Sequence, residues 1–126
     1  MKLQAKNNLP NHLALGKLGE RLALEYLLAR EYSIIETNFS TKRGEIDIIV
    51  KYKSEIAFVE VKTRRDAFFQ LPWQSVNFSK QKKIINCAND FLEYSNIELD
   101  ARFDVISILI TNGGTKIQHI KNAFHP

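Results

Sequence analysis

The chain has 126 residues, the size of one ordinary domain that can bury its own core without disulfides or a structural metal. Hydrophobic residues make up 44% of the sequence and charged residues 25%, values that exclude a mainly disordered chain. The net charge of +4 permits contact with phosphates without requiring it, and the single cysteine, Cys87, excludes an internal disulfide.

The N-terminal segment MKLQAKNNLPNHLALG lacks the apolar core of a signal peptide. No apolar run in the sequence approaches the roughly 20 residues of a membrane-spanning helix. We therefore expect a cytoplasmic protein that does not contact a membrane. The first residues are polar and include Pro10, which predicts a loose arm over residues 1–12 and a single domain over residues 13–126.

Apolar residues recur at helical spacing from Leu15 to Leu27 and predict an amphipathic first helix. Glu20 lies at the edge of this apolar stripe, one turn after Gly16. Gly16 and Gly19 carry no side chain, so we expect another part of the backbone to approach the helix closely there.

Three extended segments follow the first helix. The predicted strands are Ser33–Phe39, Glu45–Tyr52 and Glu55–Thr63. Gly44 supplies the flexible position of the first turn, and the short turn Lys53–Ser54 predicts a hairpin between the second and third strands.

The segment after the hairpin has no periodicity and contains Pro72, so we predict an irregular loop over residues 64–78. A second helix is predicted to begin near Ser79, which suits the N-cap position. Cys87 lies on the apolar side of this helix, where we expect it to pack rather than react.

Two further strands complete the predicted fold. Arg102–Ile110 is a strongly β-like segment, and after a turn at residues 112–114 the segment Lys116–Ile120 returns as a short final strand. We expect Asp104 to pair with Arg102 or a neighbouring cation. The predicted order α-β-β-β-α-β-β describes a mixed α/β domain in which helices cover a central sheet.

The alternation of apolar residues predicts the register of the hairpin. Alternate residues of a strand point to opposite sides of the sheet, and a shift of one residue would move every side chain to the wrong face. The apolar sets share a face if the pairs are Val50 with Ala57, Ile48 with Val59 and Ile46 with Val61.

The same register places Asp47 directly across from Glu60 on the other face, with Lys62 two residues further along. Opposed residues have Cβ atoms about 4.5–5.5 Å apart, and like charges there destabilise a sheet. Two carboxylates beside an amine therefore suit a divalent cation next to a positioned base or phosphate ligand. Two plainer explanations stay open: Lys62 pairs with one carboxylate, or both carboxylates face water. If the first helix packs on this face, Glu20 becomes a third carboxylate.

The segments GEID and VEVK are similar to the PD-(D/E)xK nuclease signature, with Asp47 as the first acidic residue and Glu60-Val61-Lys62 as the E-x-K element. The whole chain, from about Gly16 to Phe124, resembles the YraN-like family of predicted endonucleases related to archaeal Holliday-junction resolvases. The matching blocks include GKLGERLALEYL, RGEIDIIV, FVEVKTR, RFDVISI and IQHIKNAF. The sequence departs from the family pattern in the loop after Arg65, at Gln70 and Gln74.

The resemblance implies a restriction-endonuclease-like fold, in which helices flank a central mixed β-sheet. It also implies Mg²⁺ or Mn²⁺ at the acidic cluster and a metal-dependent nuclease that hydrolyses phosphodiester bonds in DNA, including branched or junction DNA in repair or recombination. Resolvases of this fold class act as dimers, so a homodimer is expected by analogy.

On this basis we expect Asp47 and Glu60 to be direct metal ligands, with the Val61 carbonyl as a third. Glu20 would bind through water or complete a second site. Lys62 would orient the attacking water and stabilise the charge on the phosphate, and its use as general base stays open. The number of metal ions is not predicted by the sequence.

Basic residues near the ends of the motif strands and at the start of the second helix are candidate phosphate contacts. They are Lys42, Arg43, Arg64, Arg65, Lys80, Lys82 and Lys83. Each is alternatively an ordinary surface cation. Trp73, with Phe68 and Phe69, either stacks on nucleic acid or covers the core or a dimer interface.

Two other functions are compatible with the sequence. The first is a non-catalytic nucleic-acid-binding accessory protein that keeps the nuclease fold. The second is a structural or protein-interaction domain whose carboxylates are simply salt-bridged. RNA stays open as a substrate, because nothing in the sequence reads a 2′-hydroxyl group.

Overall fold

The computed structural model describes residues 12–65 and 76–126. These residues form two helices and five strands in the predicted order α-β-β-β-α-β-β. The elements are α1 (His12–Ala29), β1 (Ser33–Thr41), β2 (Gly44–Tyr52), β3 (Glu55–Arg64), α2 (Phe78–Ser95), β4 (Asp100–Thr111) and β5 (Gly114–Phe124). The strands lie side by side in chain order.

The sheet is mixed, as predicted. β3 and β4 run parallel, and the other neighbouring strands run antiparallel. A parallel pair needs a crossover connection, and the chain between β3 and β4 contains α2. The architecture matches an α/β nuclease-like fold.

The two helices cover opposite faces of the sheet. Ala23 and Leu27 of α1 are fully buried against the face that carries Ile48 and Val59. The buried side of α2 packs against the face that carries Ile49, and its residues are Ile84, Cys87, Ala88 and Phe91. Cys87 is fully buried, which confirms that it packs in the core.

The N-cap prediction for α2 is wrong, because Asn77 rather than Ser79 occupies that position. Asn77 has extended backbone angles, and its side chain accepts a hydrogen bond from the Lys80 N–H at 2.8 Å. The final strand is also longer than predicted, since β5 extends from Gly114 to Phe124. Its extra residues pair with β4 as far as Phe103 with Phe124.

The predicted hairpin register is confirmed for two of its pairs. Val50 lies across from Ala57 and Ile48 across from Val59. The pairing of β2 with β3 ends there, so the predicted pairs Ile46 with Val61 and Asp47 with Glu60 are not part of the ladder. The face predicted for Ile46 is wrong, because Ile46 packs with Ile49 on the α2 side while Ile48 packs on the α1 side. The alternation of β2 side chains between the two faces of the sheet therefore shifts by one residue at Asp47.

β1, the strand beside β2, has an unusual backbone conformation opposite Asp47. Thr37 pairs with Ile48 and Phe39 with Ile46, which places Asn38 across from Asp47. Asn38 has a φ of 52°, in the left-handed region that residues other than glycine seldom occupy. Such backbone conformations cost free energy and cluster at functional sites.

A buried ionic network links β4 to its neighbours. The Arg102 Nε donates to both Asp104 oxygens at 3.0 and 3.1 Å, which confirms the predicted pairing. Arg102 also donates to Glu55 at 2.6 Å and to the Tyr32 hydroxyl at 2.7 Å. His119 Nε2 lies 2.8 Å from Asp104 Oδ2, so this histidine has a structural role.

Some predictions fall on residues outside the described ranges. They concern the arm that precedes α1, which begins at His12, and the loop that contains Phe68, Phe69, Gln70, Trp73 and Gln74. Neither helix in the described ranges combines the length and the hydropathy that a membrane crossing needs.

Candidate functional site

Asp47 lies where β2 and β3 separate. Ile48, the residue after Asp47, pairs with Val59 in the last pair of the β2–β3 ladder. Beyond this pair, the Asp47 side chain replaces a main-chain contact between the strands. Its Oδ2 accepts the Val61 N–H at 2.8 Å. The carboxylate is therefore held in a fixed position by the backbone of the E-x-K element.

The surroundings of Asp47 disfavour its charged form. Burial raises the pKa of Asp47 to about 7, with further contributions from the nearby Glu60 and Glu20, against the Val61 hydrogen bond that lowers it. Carboxylates that converge in this way favour a bound cation or a shared proton.

Glu60 is nearly inaccessible to solvent and contacts two lysines. Only 6% of its side chain is exposed, and its Oε2 lies 2.9 Å from Lys80 Nζ but 3.9 Å from Lys62 Nζ. The sequence predicted Lys62 beside Glu60 and gave Lys80 only as a phosphate contact. Lys80 is the closer partner because α2 packs over the face of the sheet on which Glu60 lies.

The ion pair with Glu60 changes the titration of Lys80. Partial burial of the ammonium group lowers its pKa, but the hydrogen bond and charge of Glu60, with smaller contributions from Asp47 and Glu45, outweigh that effect and raise the pKa. Lys80 therefore stays charged at neutral pH, and its positive charge lies against Glu60.

Glu20 reaches the same place from α1. A cavity of about 230 Å³ brings together the carboxylates and amines of the site. It is lined by Leu15, Gly16, Glu20, Asp47, Glu60, Val61, Lys62, Thr63 and Lys80. The structure thus gathers all the residues that were predicted as catalytic.

The prediction that α1 packs on the face of the sheet that carries Glu60, and presents Glu20 from there, is wrong. α1 packs on the Ile48 face and not on the face of Glu60, and Glu20 meets Asp47 at the point where the strands separate. Gly19 allows this approach, because a Cβ atom there would collide with the Thr63 side chain of β3. Gly16 plays no such part, since a Cβ atom there would meet open space.

The oxygen atoms of this cluster fit a hard cation. Within residues 12–65 and 76–126, no three histidine, cysteine, aspartate or glutamate side chains are arranged to hold a metal ion by themselves. Mg²⁺ is usually bound by one or two carboxylates and keeps several waters. Asp47 and Glu60 supply that number of carboxylates, and a cation would offset both the burial and the neighbouring charge of Glu60 that raise the pKa of Asp47.

A second cavity of about 620 Å³ lies between the β1–β2 turn and the start of α2. We call it the basic groove. Its lining includes Lys42, Arg43, Lys80 and Lys83, together with the polar Asn77 and Ser79. Lys80 lines both cavities, so the basic groove adjoins the carboxylates.

The other candidate phosphate contacts differ in their surroundings. Arg43 is bound to Asp90, with its NH2 group 2.7 Å from Oδ1, and so fastens the β1–β2 turn to α2. Lys82 is exposed on α2. Arg64 ends β3 and Arg65 follows it, at the edge of the described residues.

Comparison with known proteins gives a consistent family. The model of the Uncharacterised protein family UPF0102 matches residues 19–108, which include the whole Asp47 and Glu60 region. A UPF0102 protein of Caldicellulosiruptor bescii is 48% identical over 113 residues, covering 86% of this chain and 95% of its own.

Proteins of other organisms match over similar lengths. A UPF0102 protein of Caldanaerobacter subterraneus is 42% identical over 118 residues, covering 90% of this chain and 97% of its own. One from Bacteroides thetaiotaomicron is 36% identical over 115 residues, with 91% and 95% covered. These matches confirm the YraN-like resemblance, and the chain belongs to the UPF0102 family.

Proposed function

We propose that this protein is a metal-dependent nuclease that hydrolyses phosphodiester bonds in DNA, including branched or junction DNA. The observation that carries the proposal is the convergence of Asp47 and Glu60 in one cavity, where burial and the charge of Glu60 raise the pKa of Asp47 to about 7. Burying two carboxylates side by side costs free energy unless a cation or a proton joins them. Clusters of this kind, lying in a cavity, are typical of catalytic sites.

Asp47 and Glu60 would hold the metal, Mg²⁺ or Mn²⁺, with the Val61 carbonyl as a further ligand and Glu20 acting through water. A divalent cation bound here supplies positive charge for the phosphate and a more acidic water. The Val61 N–H keeps Asp47 in place at 2.8 Å, so that its oxygens need little rearrangement on binding.

Lys62 would act next to the carboxylates rather than between them. Its Nζ lies 3.9 Å from Glu60 Oε2, beyond a direct hydrogen bond, and its side chain is 27% exposed at the cavity. From there the ammonium group can orient a water and stabilise negative charge on the phosphate in the transition state. A role as general base would require it to lose its proton first.

The basic groove supplies the route for the nucleic acid. Lys42, Lys80 and Lys83 line it beside the carboxylates, and a run of cations next to an acidic pair positions a phosphate backbone with one phosphate at the metal. Paired cuts in a four-way junction would need a homodimer, which we propose by analogy with resolvases.

The proposal is tested with purified Asp47→Asn and Glu60→Gln variants on branched, flap and linear DNA in the presence of Mg²⁺. We expect each variant to lose cleavage by about a hundredfold or more while remaining folded. Glu98→Gln, an exposed glutamate distant in sequence from the motif, is the matched control. Wild-type cleavage by the double variant would contradict the proposal.

One observation favours the alternative of a non-catalytic nucleic-acid-binding protein. Lys80 already neutralises Glu60 with its own ammonium group, as expected for a site that has exchanged a metal for a lysine. That alternative predicts that DNA is bound without cleavage under any divalent cation and that the protein has no affinity for Mg²⁺.

A further inference from the structure

We propose that Lys80 is a built-in counter-ion that occupies the cation position at Glu60 and is displaced when a divalent cation binds. The proposal rests on the proposed function, because it requires that Asp47 and Glu60 bind a metal. It adds a competitor inside the protein: the metal must replace the ammonium group of Lys80, which then becomes available to the phosphates of the substrate.

The position of Lys80 is the first support. Its Nζ lies 2.9 Å from Glu60 Oε2, a full ångström closer than Lys62 Nζ, and it lines the cavity that also contains Asp47 and Glu20. A divalent cation held by Glu60 would add a second positive charge beside the Lys80 ammonium group. Like charges this close repel, which favours the departure of the more mobile one.

The difference in burial shows which group can move. The Glu60 side chain is 6% exposed and lies on a strand in the middle of the sheet, whereas the Lys80 side chain is 42% exposed. A buried carboxylate needs a charged partner at all times, while a lysine on a flexible stem can return to water at little cost. The exchange therefore replaces one partner of Glu60 by another and never leaves Glu60 unpaired.

The backbone of Lys80 does not need to move in this exchange. Its N–H donates to the Asn77 side chain at 2.8 Å in the N-cap of α2, which fixes the main chain at the mouth of the cavity. The change is confined to the side-chain torsions of Lys80, which carry its Nζ from one cavity to the adjoining one.

The basic groove is the destination of the displaced amine. Lys80 lines this groove with Lys42 and Lys83 as well as lining the carboxylate cavity. Before the metal binds, the ammonium group of Lys80 is paired with Glu60. After the metal binds, the same charge adds to the groove next to the phosphate that the metal contacts, so metal binding prepares the surface for the nucleic acid.

The test is the affinity for Mg²⁺ alone, measured by titration calorimetry at about pH 8, where the Asp47 carboxyl is mostly ionised. Lys80→Met keeps the length of the apolar stem but removes the competing charge. We expect its dissociation constant for Mg²⁺ to fall about tenfold, equivalent to about 1.4 kcal/mol. Lys116→Met, which removes an exposed lysine on β5, makes the same change in net charge and should leave the dissociation constant as in the wild type.

The outcomes separate this inference from the proposed function. If the wild type binds Mg²⁺ and Lys80→Met binds it equally well or more weakly, Lys80 is not a competitor and only the inference fails. If neither protein binds Mg²⁺, the proposed function fails with it. Tighter binding by Lys80→Met that disappears on adding Glu60→Gln supports both.

A measurement on the wild type keeps the inference testable if Lys80→Met does not fold. In protein labelled with ¹⁵N at the lysine Nζ, the Lys80 ammonium should exchange its protons slowly without metal, because it is held by Glu60. Saturating Mg²⁺ should bring its exchange to that of exposed lysines such as Lys82. An unchanged Lys80 signal at saturation would overturn the inference.

Discussion

The carboxylate of Asp47 accepts the N–H of Val61 at 2.8 Å, across the gap that opens where the pairing of β2 with β3 ends. A side chain of one motif strand thus replaces a main-chain contact to the other. This relationship joins Asp47 to the E-x-K element and brings it beside Glu60, where their charges meet a lysine from α2.

The raised pKa of Asp47 predicts an unusual dependence of stability on pH. The pKa is about 7 in the folded protein against roughly 3.9 in an unfolded chain, so the folded state binds the proton more tightly. Stability should therefore fall as the pH rises from about 4 to about 7, and the penalty should be complete above that range.

Asp47→Asn removes this penalty, because an amide keeps the acceptor for Val61 but carries no charge. We expect it to raise the free energy of unfolding at about pH 8 by roughly 1–3 kcal/mol, a value discounted for the partial exposure of the group, with little effect near pH 4. Urea unfolding in a chelator at both pH values checks this. A variant that is less stable than the wild type at the higher pH would contradict it.

Lys62→Met should separate catalysis from metal binding. Lys62 does not make a close ion pair with Glu60, its Nζ being 3.9 Å away, so the affinity for Mg²⁺ should change by less than about twofold. Cleavage should fall by about a hundredfold or more, since the group that orients the water is lost. Equal losses of affinity and cleavage would show that Lys62 acts through the metal site instead.

Gly19 and Gly16 form a matched pair on α1. Gly19→Ala should lower the free energy of unfolding by about 1–3 kcal/mol, because its Cβ would collide with Thr63. Gly16→Ala meets open space and should raise the free energy of unfolding by about 0.5–1 kcal/mol through helix propensity. Urea denaturation distinguishes the two, and equal effects would argue against the close contact of α1 with β3.

The buried network around Arg102 and Asp104 should matter for folding alone. Asp104→Asn leaves the Arg102 guanidinium group with less negative charge in a buried setting and should cost about 3–5 kcal/mol. Arg43→Met breaks the exposed pair with Asp90 and should have a much smaller effect. Thermal or urea unfolding of the two variants tests the contrast, which would be refuted if the exposed pair mattered as much.

The order of the elements was predictable because the helical and strand periods differ clearly along the chain. The register of Ile48 with Val59 followed from alternation in the same way. What alternation could not predict was its own reversal at Asp47, which lies across from the left-handed backbone of Asn38 in the neighbouring strand. Ile46 was for that reason assigned to the wrong face.

The carboxylates of the site were predictable, whereas their closest cation was not. Asp47 and Glu60 lie on adjacent strands just beyond the last pair of the ladder, Ile48 with Val59, so the predicted register was enough to bring them close. Lys80 lies in a helix that follows an irregular loop, and the position of that helix over Glu60 is set by the packing of side chains such as Phe91 and Ile84 against the sheet. A sequence offers no short-range signal for such a contact.

The central claim is that Asp47 and Glu60 together hold a divalent cation, and anomalous diffraction from crystals soaked in Mn²⁺ tests it most directly. We expect an anomalous peak between the two carboxylates, with the Lys80 ammonium group moved away from Glu60 toward the basic groove. Saturating Mn²⁺ that leaves no peak there, with Lys80 still bound to Glu60, would contradict it.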